Sequence, residues 1–191
     1  MNIILIGFRC TGKTTVGRQL AQRLRMKFVD SDQYLEFKTG AVISDLWQRK
    51  GESTFRLLEA DALADLAKGD NQVLATGGGA VLRYKNIHNL KRNGIIILLE
   101  ADPRSVFERI LKDPRSMTQR PRLNPHKDPF DEVQEQMEFR RPYYLQAADI
   151  RIRTEEKPAD DVVGELLARL SEWGFTPPAS GTDGVPVEPV A

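Results

Sequence analysis

Short apolar runs alternate with longer amphipathic segments along residues 1–173. Nearly uninterrupted apolarity is typical of strands buried on both faces of a sheet, and the runs predict five strands, at residues 3–6, 28–29, 73–75, 95–99 and 150–152. Apolar side chains at helical spacing predict five helices, at residues 14–24, 52–68, 103–111, 130–146 and 158–173. This alternation predicts an α/β fold with three layers, in which a parallel sheet lies between two layers of helices.

Two stretches interrupt the alternation. Residues 112–129 are rich in basic side chains and proline and have no apolar period, so they predict a long mobile loop; such a loop inside a compact domain is usually functional. Residues 174–191 are rich in proline and glycine and have little to bury, which favours a disordered tail. We therefore expect a single domain at residues 1–173, followed by a flexible tail.

Length and charge narrow the functional class. The 191 residues are enough for one sizeable core, and 28 Lys and Arg against 27 Asp and Glu lack the basic excess typical of nucleic-acid-binding proteins. The longest aliphatic run, residues 95–99, is too short to span a bilayer, and the first residues lack the pattern of a secretion signal. A single cysteine excludes an intrachain disulfide framework. We expect a cytoplasmic monomer with small-molecule substrates and no nucleic-acid or membrane partner.

Residues 7–14 carry a phosphate-binding sequence. They lie between a predicted strand and a predicted helix and fit the pattern G-x-x-x-x-G-K-[ST] as Gly7-Phe8-Arg9-Cys10-Thr11-Gly12-Lys13-Thr14. The glycines allow backbone N–H groups to surround a phosphate at the helix N-terminus. Lys13 would reach the β- and γ-phosphates, and the Thr14 hydroxyl would ligate Mg²⁺. The sequence therefore predicts nucleoside-triphosphate binding, and it has no Asn-Lys-x-Asp signature of guanine recognition.

Further candidate chemistry follows the second and third predicted strands. Ligands of open α/β sheets collect at the carboxyl ends of strands, so Asp30 and Asp32 could hold hydrated Mg²⁺ and orient an acceptor hydroxyl. The same pair would also suit a helix N-cap. Gly77, Gly78 and Gly79 indicate close approach of the backbone to a ligand, or else a flexible turn.

Arg56 is a candidate anion ligand. It lies in the predicted helix at residues 52–68, and Glu59, one turn later, can pair with it. An arginine oriented in this way can bind a planar carboxylate through two parallel hydrogen bonds. On its own, such an arginine is typical of a solvated surface.

Taken together, six motifs in register resemble the shikimate kinases, over residues 1 to about 170. Besides the phosphate loop, the paired aspartates and the three glycines, they comprise Phe55-Arg56, Arg120-Pro121-Arg122-Leu123 and an Arg-x-Pro-x-Tyr from Arg140 to Tyr144. The resemblance implies a P-loop kinase with a five-stranded parallel sheet in the order 2-3-1-4-5 and a mobile lid at about residues 112–129. It implies transfer of the γ-phosphoryl group of ATP, with Mg²⁺, to the 3-hydroxyl of shikimate, a step of aromatic amino-acid biosynthesis.

The resemblance also implies a role for each motif residue. Lys13, Asp32 and Arg120 would be catalytic, Thr14 and Asp30 would hold the metal, and Arg109 would stack on adenine. The ATP phosphates would be bound by Gly7, Cys10, Thr11, Gly12, Lys13, Thr14, Thr15 and Arg120. Shikimate would be bound by Asp32, Arg56, Arg140, Gly77, Gly78 and Gly79 and walled by Trp47 and Phe55, although both aromatics would equally suit a core.

Three features depart from the family pattern. Arg9 and Cys10 are unusual in the loop but are expected to matter little, because backbone atoms bind the phosphates. The lid is longer than in compact members, and residues 156–158 lack an arginine that some members carry. Two alternatives stay open: another small-metabolite kinase, such as a gluconate kinase, and a non-catalytic ATP-binding module. Nucleotide binding alone needs none of Asp32, Arg56 and Arg140, which speaks against the second.

Overall fold

The computed structural model describes residues 1–113 and 128–177. They form a five-stranded sheet whose strands are β1 (Asn2–Ile6), β2 (Lys27–Asp30), β3 (Gln72–Ala75), β4 (Gly94–Glu100) and β5 (Ile150–Arg153). The α-helices of this part of the chain are α1 (Lys13–Leu24), α2 (Ser31–Thr39), α3 (Ile43–Leu66), α4 (Tyr84–Lys91), α5 (Pro103–Lys112), α6 (Pro129–Ala147) and α7 (Ala159–Glu172). A short 3₁₀ helix, Ala80–Leu82, follows the three glycines.

All strand pairs are parallel, and the order is β2-β3-β1-β4-β5, as the resemblance implied. Alternate residues of the central strand β1 enter the two opposite cores. Ile3 and Leu5 pack with α1 and α7, whereas Ile4 and Ile6 pack with α3, α4 and α6. Burial on both faces explains the uninterrupted apolar runs and confirms the three-layer arrangement.

Strand β5 departs from this pattern because it lies at the edge of the sheet. Ile150 and Ile152 are buried, whereas Arg151 and Arg153 are exposed. The Arg151 guanidinium pairs with the Glu100 carboxylate of β4 through two contacts of 3.0 Å. The alternation thus marks the face that the helices leave uncovered.

Several helical segments were missing from the sequence prediction. Helices α2 and α4 have few buried apolar side chains and so show no clear period. Helix α3 begins at Ile43, not at residue 52, and Gly51 interrupts it with φ 74° and ψ 165°. Only the part after that kink had been predicted.

The predicted loop and tail overlap partly with ordered structure. Lys112 ends α5, and Asp128 caps α6 by accepting hydrogen bonds from the backbone N–H groups of residues 130 and 131. The predicted lid motif around Arg120 lies outside the described residues, as do residues 178–191 of the predicted tail. Phe175, beyond the predicted domain end, is buried in the core beside α7.

Candidate active site

The carboxyl ends of β1, β2 and β3 converge on one edge of the sheet. The P-loop, residues 7–14, follows β1 with the backbone that the motif requires: Gly7 has φ 144°, and a Cβ there would lie 2.4 Å from the Leu99 carbonyl oxygen. Gly12, with φ 95°, caps α1 without a side-chain hydrogen bond. The first N–H groups of α1 therefore face the loop, where the helix field favours an anion.

Lys13 is folded over the P-loop. Its ammonium group donates hydrogen bonds to the carbonyl oxygens of Gly7, at 2.8 Å, and Phe8, at 2.7 Å. The Thr11 hydroxyl donates to the same Phe8 carbonyl at 2.9 Å, which closes the turn. The lysine is thus held at the loop that would surround a phosphate.

Asp30 joins the P-loop to β2 and α2. One of its carboxylate oxygens accepts a 3.0 Å hydrogen bond from the Thr14 hydroxyl, and the other accepts one of 3.0 Å from the Asp32 backbone N–H. Asp30 is therefore both the N-cap of α2 and the neighbour of the predicted metal ligand, so the two interpretations of the aspartate pair are compatible. One hydroxyl and one carboxylate suit Mg²⁺, which takes few protein ligands and completes its shell with phosphate oxygens and water.

Two cavities open beside this edge of the sheet. The P-loop cavity is lined by Arg9, Cys10, Gly12, Lys13, Thr14, Thr15, Asp30, Asp32, Gln33, Glu36, Ile43, Thr76 and Asp113. The arginine cavity is lined by Arg9, Asp32, Ile43, Trp47, Glu52, Phe55, Arg56, Glu59, Gly77, Gly78, Gly79, Glu132, Gln136 and Arg140. The structure thus brings every predicted shikimate-binding residue to one cavity, next to the cavity that holds most of the predicted phosphate ligands.

The three glycines leave room for the charged side chains of the arginine cavity. A Cβ at Gly77 would lie 2.7 Å from an Asp32 carboxylate oxygen and 2.8 Å from one of Glu59, and a Cβ at Gly79 would lie 2.2 Å from the Arg56 guanidinium. The segment is therefore a close-approach segment and not merely a flexible turn.

Arg56 and Glu59 form a buried ion pair in this cavity. Their side chains meet at 2.8 Å, with 15% of the Arg56 side chain and 3% of the Glu59 side chain exposed. Burial raises the pKa of the Glu59 carboxyl, and the charge of Arg56 opposes that shift. The Arg56 guanidinium also lies 5.3 Å from the ring centroids of both Trp47 and Phe55. Arg56 is thus not a solvated surface residue, and the ion pair and the two rings fix its direction.

The positions of Trp47 and Phe55 agree with both predictions made for them, a wall of the cavity and an aromatic core. Phe55 is buried in a small core with Leu35 and Leu46, and Trp47 packs against it at the edge. The two rings, 5.1 Å apart between centroids, also form a wall of the arginine cavity.

Arg140 reaches the same cavity from α6. Its guanidinium lies 5.3 Å from the Phe8 ring centroid and 3.4 Å from the Gln136 side-chain oxygen. Its buried Nε has no hydrogen-bond partner in the described part of the chain. One turn later, the Tyr144 hydroxyl donates to the Gly78 carbonyl oxygen at 2.5 Å, which ties α6 to the glycine segment.

Other predicted residues lie at the margins of the two cavities. The Arg109 guanidinium donates to the carbonyl oxygens of Thr154, at 2.7 Å, and Cys10, at 3.4 Å, so it lies beside the P-loop. Arg120 lies outside the described residues. Glu132 and Gln136 had not been predicted; they lie two turns and one turn before Arg140 on α6, and that helical spacing is the signal that could have found them.

This fold and site define a P-loop kinase with a second, charged cavity beside the phosphate loop. A family model for shikimate kinase matches residues 9–171. A shikimate kinase of Symbiobacterium thermophilum is 43% identical over 174 residues, which cover 91% of this chain and 98% of the relative. A shikimate kinase structure from Acinetobacter baumannii in complex with shikimate superposes with a TM-score of 0.84 at 34% identity, covering 92% of this chain and 95% of the other. The chain belongs to the shikimate kinase family.

The comparisons also separate the alternatives. A gluconokinase from Sinorhizobium meliloti is 16% identical with a TM-score of 0.56, covering 90% of this chain and 92% of the other, a likeness that shows the fold alone. Membership of the shikimate kinase family confirms an ATP-dependent enzyme that acts on an alcohol acceptor. It favours a shikimate kinase over both alternatives, the gluconate kinase and the non-catalytic ATP-binding module.

Proposed function

We propose that the chain transfers the γ-phosphoryl group of Mg·ATP directly to the 3-hydroxyl of shikimate, with ATP in the P-loop cavity and shikimate in the arginine cavity. The observation that carries the proposal is the arginine cavity itself. Its lining includes three guanidinium groups, of Arg9, Arg56 and Arg140, and the carboxylates of Asp32, Glu52, Glu59 and Glu132, directly beside a phosphate loop. Arg56 is paired with Glu59, whereas the buried Nε of Arg140 has no hydrogen-bond partner in the described part of the chain, so the cavity suits a small polyol that carries one carboxylate.

On the nucleotide side, Lys13 would neutralise phosphate charge, and Thr14 and Asp30 would hold Mg²⁺. When bound, the ion offsets the negative charge that develops on the phosphate oxygens. The 3.0 Å contact between the Thr14 hydroxyl and Asp30 supports this pairing. Arg120 on the phosphates and Arg109 on adenine remain predictions from the family resemblance.

On the acceptor side, Asp32 would orient the 3-hydroxyl and accept its hydrogen bond. Arg56 and Arg140 would bind the carboxylate, and the backbone of Gly78 would bind a further hydroxyl. The buried Nε of Arg140, which has no hydrogen-bond partner in the described part of the chain, supports this role, because an unsatisfied guanidinium donor favours an anionic ligand.

We further propose that the protein works as a monomer in the cytoplasm, with small-molecule substrates. The near balance of 28 basic and 27 acidic residues supports the absence of a nucleic-acid partner. In the two described segments, no helix is long and apolar enough to cross a lipid bilayer.

A coupled assay of ADP release tests the acceptor. The parent protein should turn over ATP rapidly with shikimate and only at background rate with gluconate or with no acceptor. Shikimate methyl ester keeps the hydroxyls but lacks the anion, so it should be a poor substrate. Arg140→Ala should lower kcat/KM for shikimate at least about tenfold, since a charge-assisted hydrogen bond contributes roughly 1.5–3 kcal/mol. Arg140→Ala should lower kcat/KM for the ester much less than for shikimate, because the ester lacks the anion. Equal use of the ester and the acid by the parent protein would contradict carboxylate recognition.

A further inference from the structure

The P-loop cavity and the arginine cavity share one short wall. Among the described residues, Arg9, Asp32 and Ile43 line both cavities. A phosphoryl group that moves from a nucleotide in one cavity to a hydroxyl in the other must pass these three side chains. The wall therefore combines one carboxylate, one apolar side chain and one guanidinium at the point of transfer.

The family resemblance implies no role for the Arg9 side chain, because backbone atoms of the P-loop are expected to bind the phosphates. Its side chain lies at the wall that the two cavities share. The guanidinium lies 5.9 Å from the Phe8 ring centroid, and that of Arg140 lies 5.3 Å from the same centroid. The Arg9 backbone nitrogen lies 3.4 Å from where a Gly78 Cβ would be, and an Arg140 guanidinium nitrogen lies 3.6 Å from that point. The P-loop, the glycine segment and α6 thus meet around Arg9.

The charges along this wall indicate what Arg9 does. Lys13 donates to carbonyl oxygens of the P-loop, and Arg56 pairs with Glu59 in the arginine cavity. At the shared wall, Asp32 adds negative charge, which disfavours an incoming phosphoryl group unless a cation lies beside it. Arg9 supplies that cation, and its planar fork of donors matches two phosphoryl oxygens.

Building on the proposed function, we infer that Arg9 contacts the phosphoryl group during its transfer and then the 3-phosphate of the product. In this step the acceptor oxygen forms a bond to the γ-phosphorus while the bond to the β–γ bridging oxygen breaks. That bond's electron pair remains on ADP, and the hydroxyl proton passes toward the Asp32 carboxylate. Arg9 offsets the charge on the equatorial phosphoryl oxygens, so its contribution is larger in the transition state and product than with shikimate bound.

The test is Arg9→Met, which keeps much of the side-chain length and removes the charge. We expect kcat to fall at least about tenfold and the Kd of shikimate 3-phosphate, from titration calorimetry, to rise about tenfold. The Kd of shikimate should change less than about threefold, because its carboxylate binds elsewhere. Arg9→Lys should recover part of kcat, since it restores the charge without the fork.

Arg18→Met is the matched control. Arg18 also lies over a phenylalanine ring, with its guanidinium 5.4 Å from the Phe28 centroid, but it lines neither cavity. This variant should keep the kcat and the product affinity of the parent, which separates the effect of position from that of losing any arginine.

Three outcomes would overturn the inference. These are unchanged kcat and product affinity in Arg9→Met, equal losses for shikimate and shikimate 3-phosphate, or a change confined to the KM of ATP. If Arg9→Met lowers the Tm sharply, Arg9→Gln is measured in its place against the same criteria. A parent protein inactive on shikimate would instead refute the proposed function, so the two failures are distinguishable.

Discussion

The guanidinium of Arg56 occupies the space that a side chain at residue 79 would need. A Cβ at Gly79 would lie 2.2 Å from one guanidinium nitrogen, and the backbone there, at φ −97°, accepts any residue. In Gly79→Ala the arginine should therefore move, since the end of a long side chain is easier to displace than the backbone. We expect KM for shikimate to rise at least about tenfold, the loss of one charge-assisted contact. The Tm should also fall, because moving the guanidinium weakens its pair with the buried Glu59 carboxylate.

Gly164→Ala is the control for that substitution. A Cβ at Gly164 would meet no atom of the described residues within 4 Å, and the residue lies within α7. Alanine there should leave KM unchanged and stabilise the fold by up to about 1 kcal/mol, because glycine is the poorer helix former. Steady-state kinetics and thermal unfolding of the two variants are the measurement. Unchanged KM in Gly79→Ala would show that Arg56 does not need its present position.

At the residue scale, the sequence identifies functional residues that lie within a motif. It misses residues whose place in the site depends on the packing of another element. Asp32, Arg56 and the glycines were predicted because each stands at a fixed distance from a strand end or in a family motif. The sequence assigned no role to the side chain of Arg9, since only the approach of α6 and the glycine segment to the P-loop places it in the lining of the arginine cavity.

The kink in α3 is the clearest case in which a whole element shapes the proposed site. Trp47 and Phe55 are eight residues apart, which in a straight helix is a rise of about 12 Å. Their ring centroids are 5.1 Å apart, because Gly51, with φ 74°, turns the chain between them. The kink therefore brings the two aromatic walls of the arginine cavity together.

Gly51→Ala should weaken both stability and acceptor binding. A Cβ there meets no atom within 4 Å in the part of the chain that the structure describes, so the cost is backbone strain of about 1–3 kcal/mol. Relief of that strain by straightening would separate Trp47 from Phe55 and raise the Kd of shikimate, measured by titration calorimetry. Gly40→Ala, at φ 65° and equally open, should carry a similar stability cost with unchanged Kd. If both variants bind shikimate like the parent, the kink does not shape the acceptor site.

The same elements show why the apolar pattern predicted strands better than helices. Strands β1 and β4 are buried on both faces, so nearly every position is apolar and the run is easy to recognise in the sequence. Helix α2 buries Ser31 and Leu35, too few apolar positions to give a period, so the sequence indicated it only as a possible helix after Asp32. The first part of α3 was missed for a related reason, because Gly51 ends the helical period on which the prediction depended.

For the whole molecule, the strand order came from the family resemblance and not from the apolar pattern, which is the same for any arrangement of buried strands. The pattern also missed one contact of the chain with the core. It followed the amphipathic period of α7 to residue 173, but the chain returns to the core at Phe175, a single apolar residue in a stretch rich in proline and glycine. A single apolar residue gives no periodic pattern from which its burial could be predicted.

Phe175 should therefore decide where the chain can be shortened. Its side chain is 8% exposed in the core formed by α1, α7 and the sheet, and its N–H donates to the Leu170 carbonyl oxygen at 2.9 Å. Burying a phenylalanine contributes roughly 1.5–3 kcal/mol, so ending the chain after Trp173 should lower the Tm by roughly 3–12 °C. Ending it after Pro177 should leave the Tm and kcat near those of the full chain. In the full-length protein, Phe175→Ala should reproduce the loss, whereas Trp173→Ala, with 54% exposure, should not. Equal Tm values for the two shortened chains would mean that the core does not depend on Phe175, and a loss of kcat on ending after Pro177 would assign a role to residues 178–191.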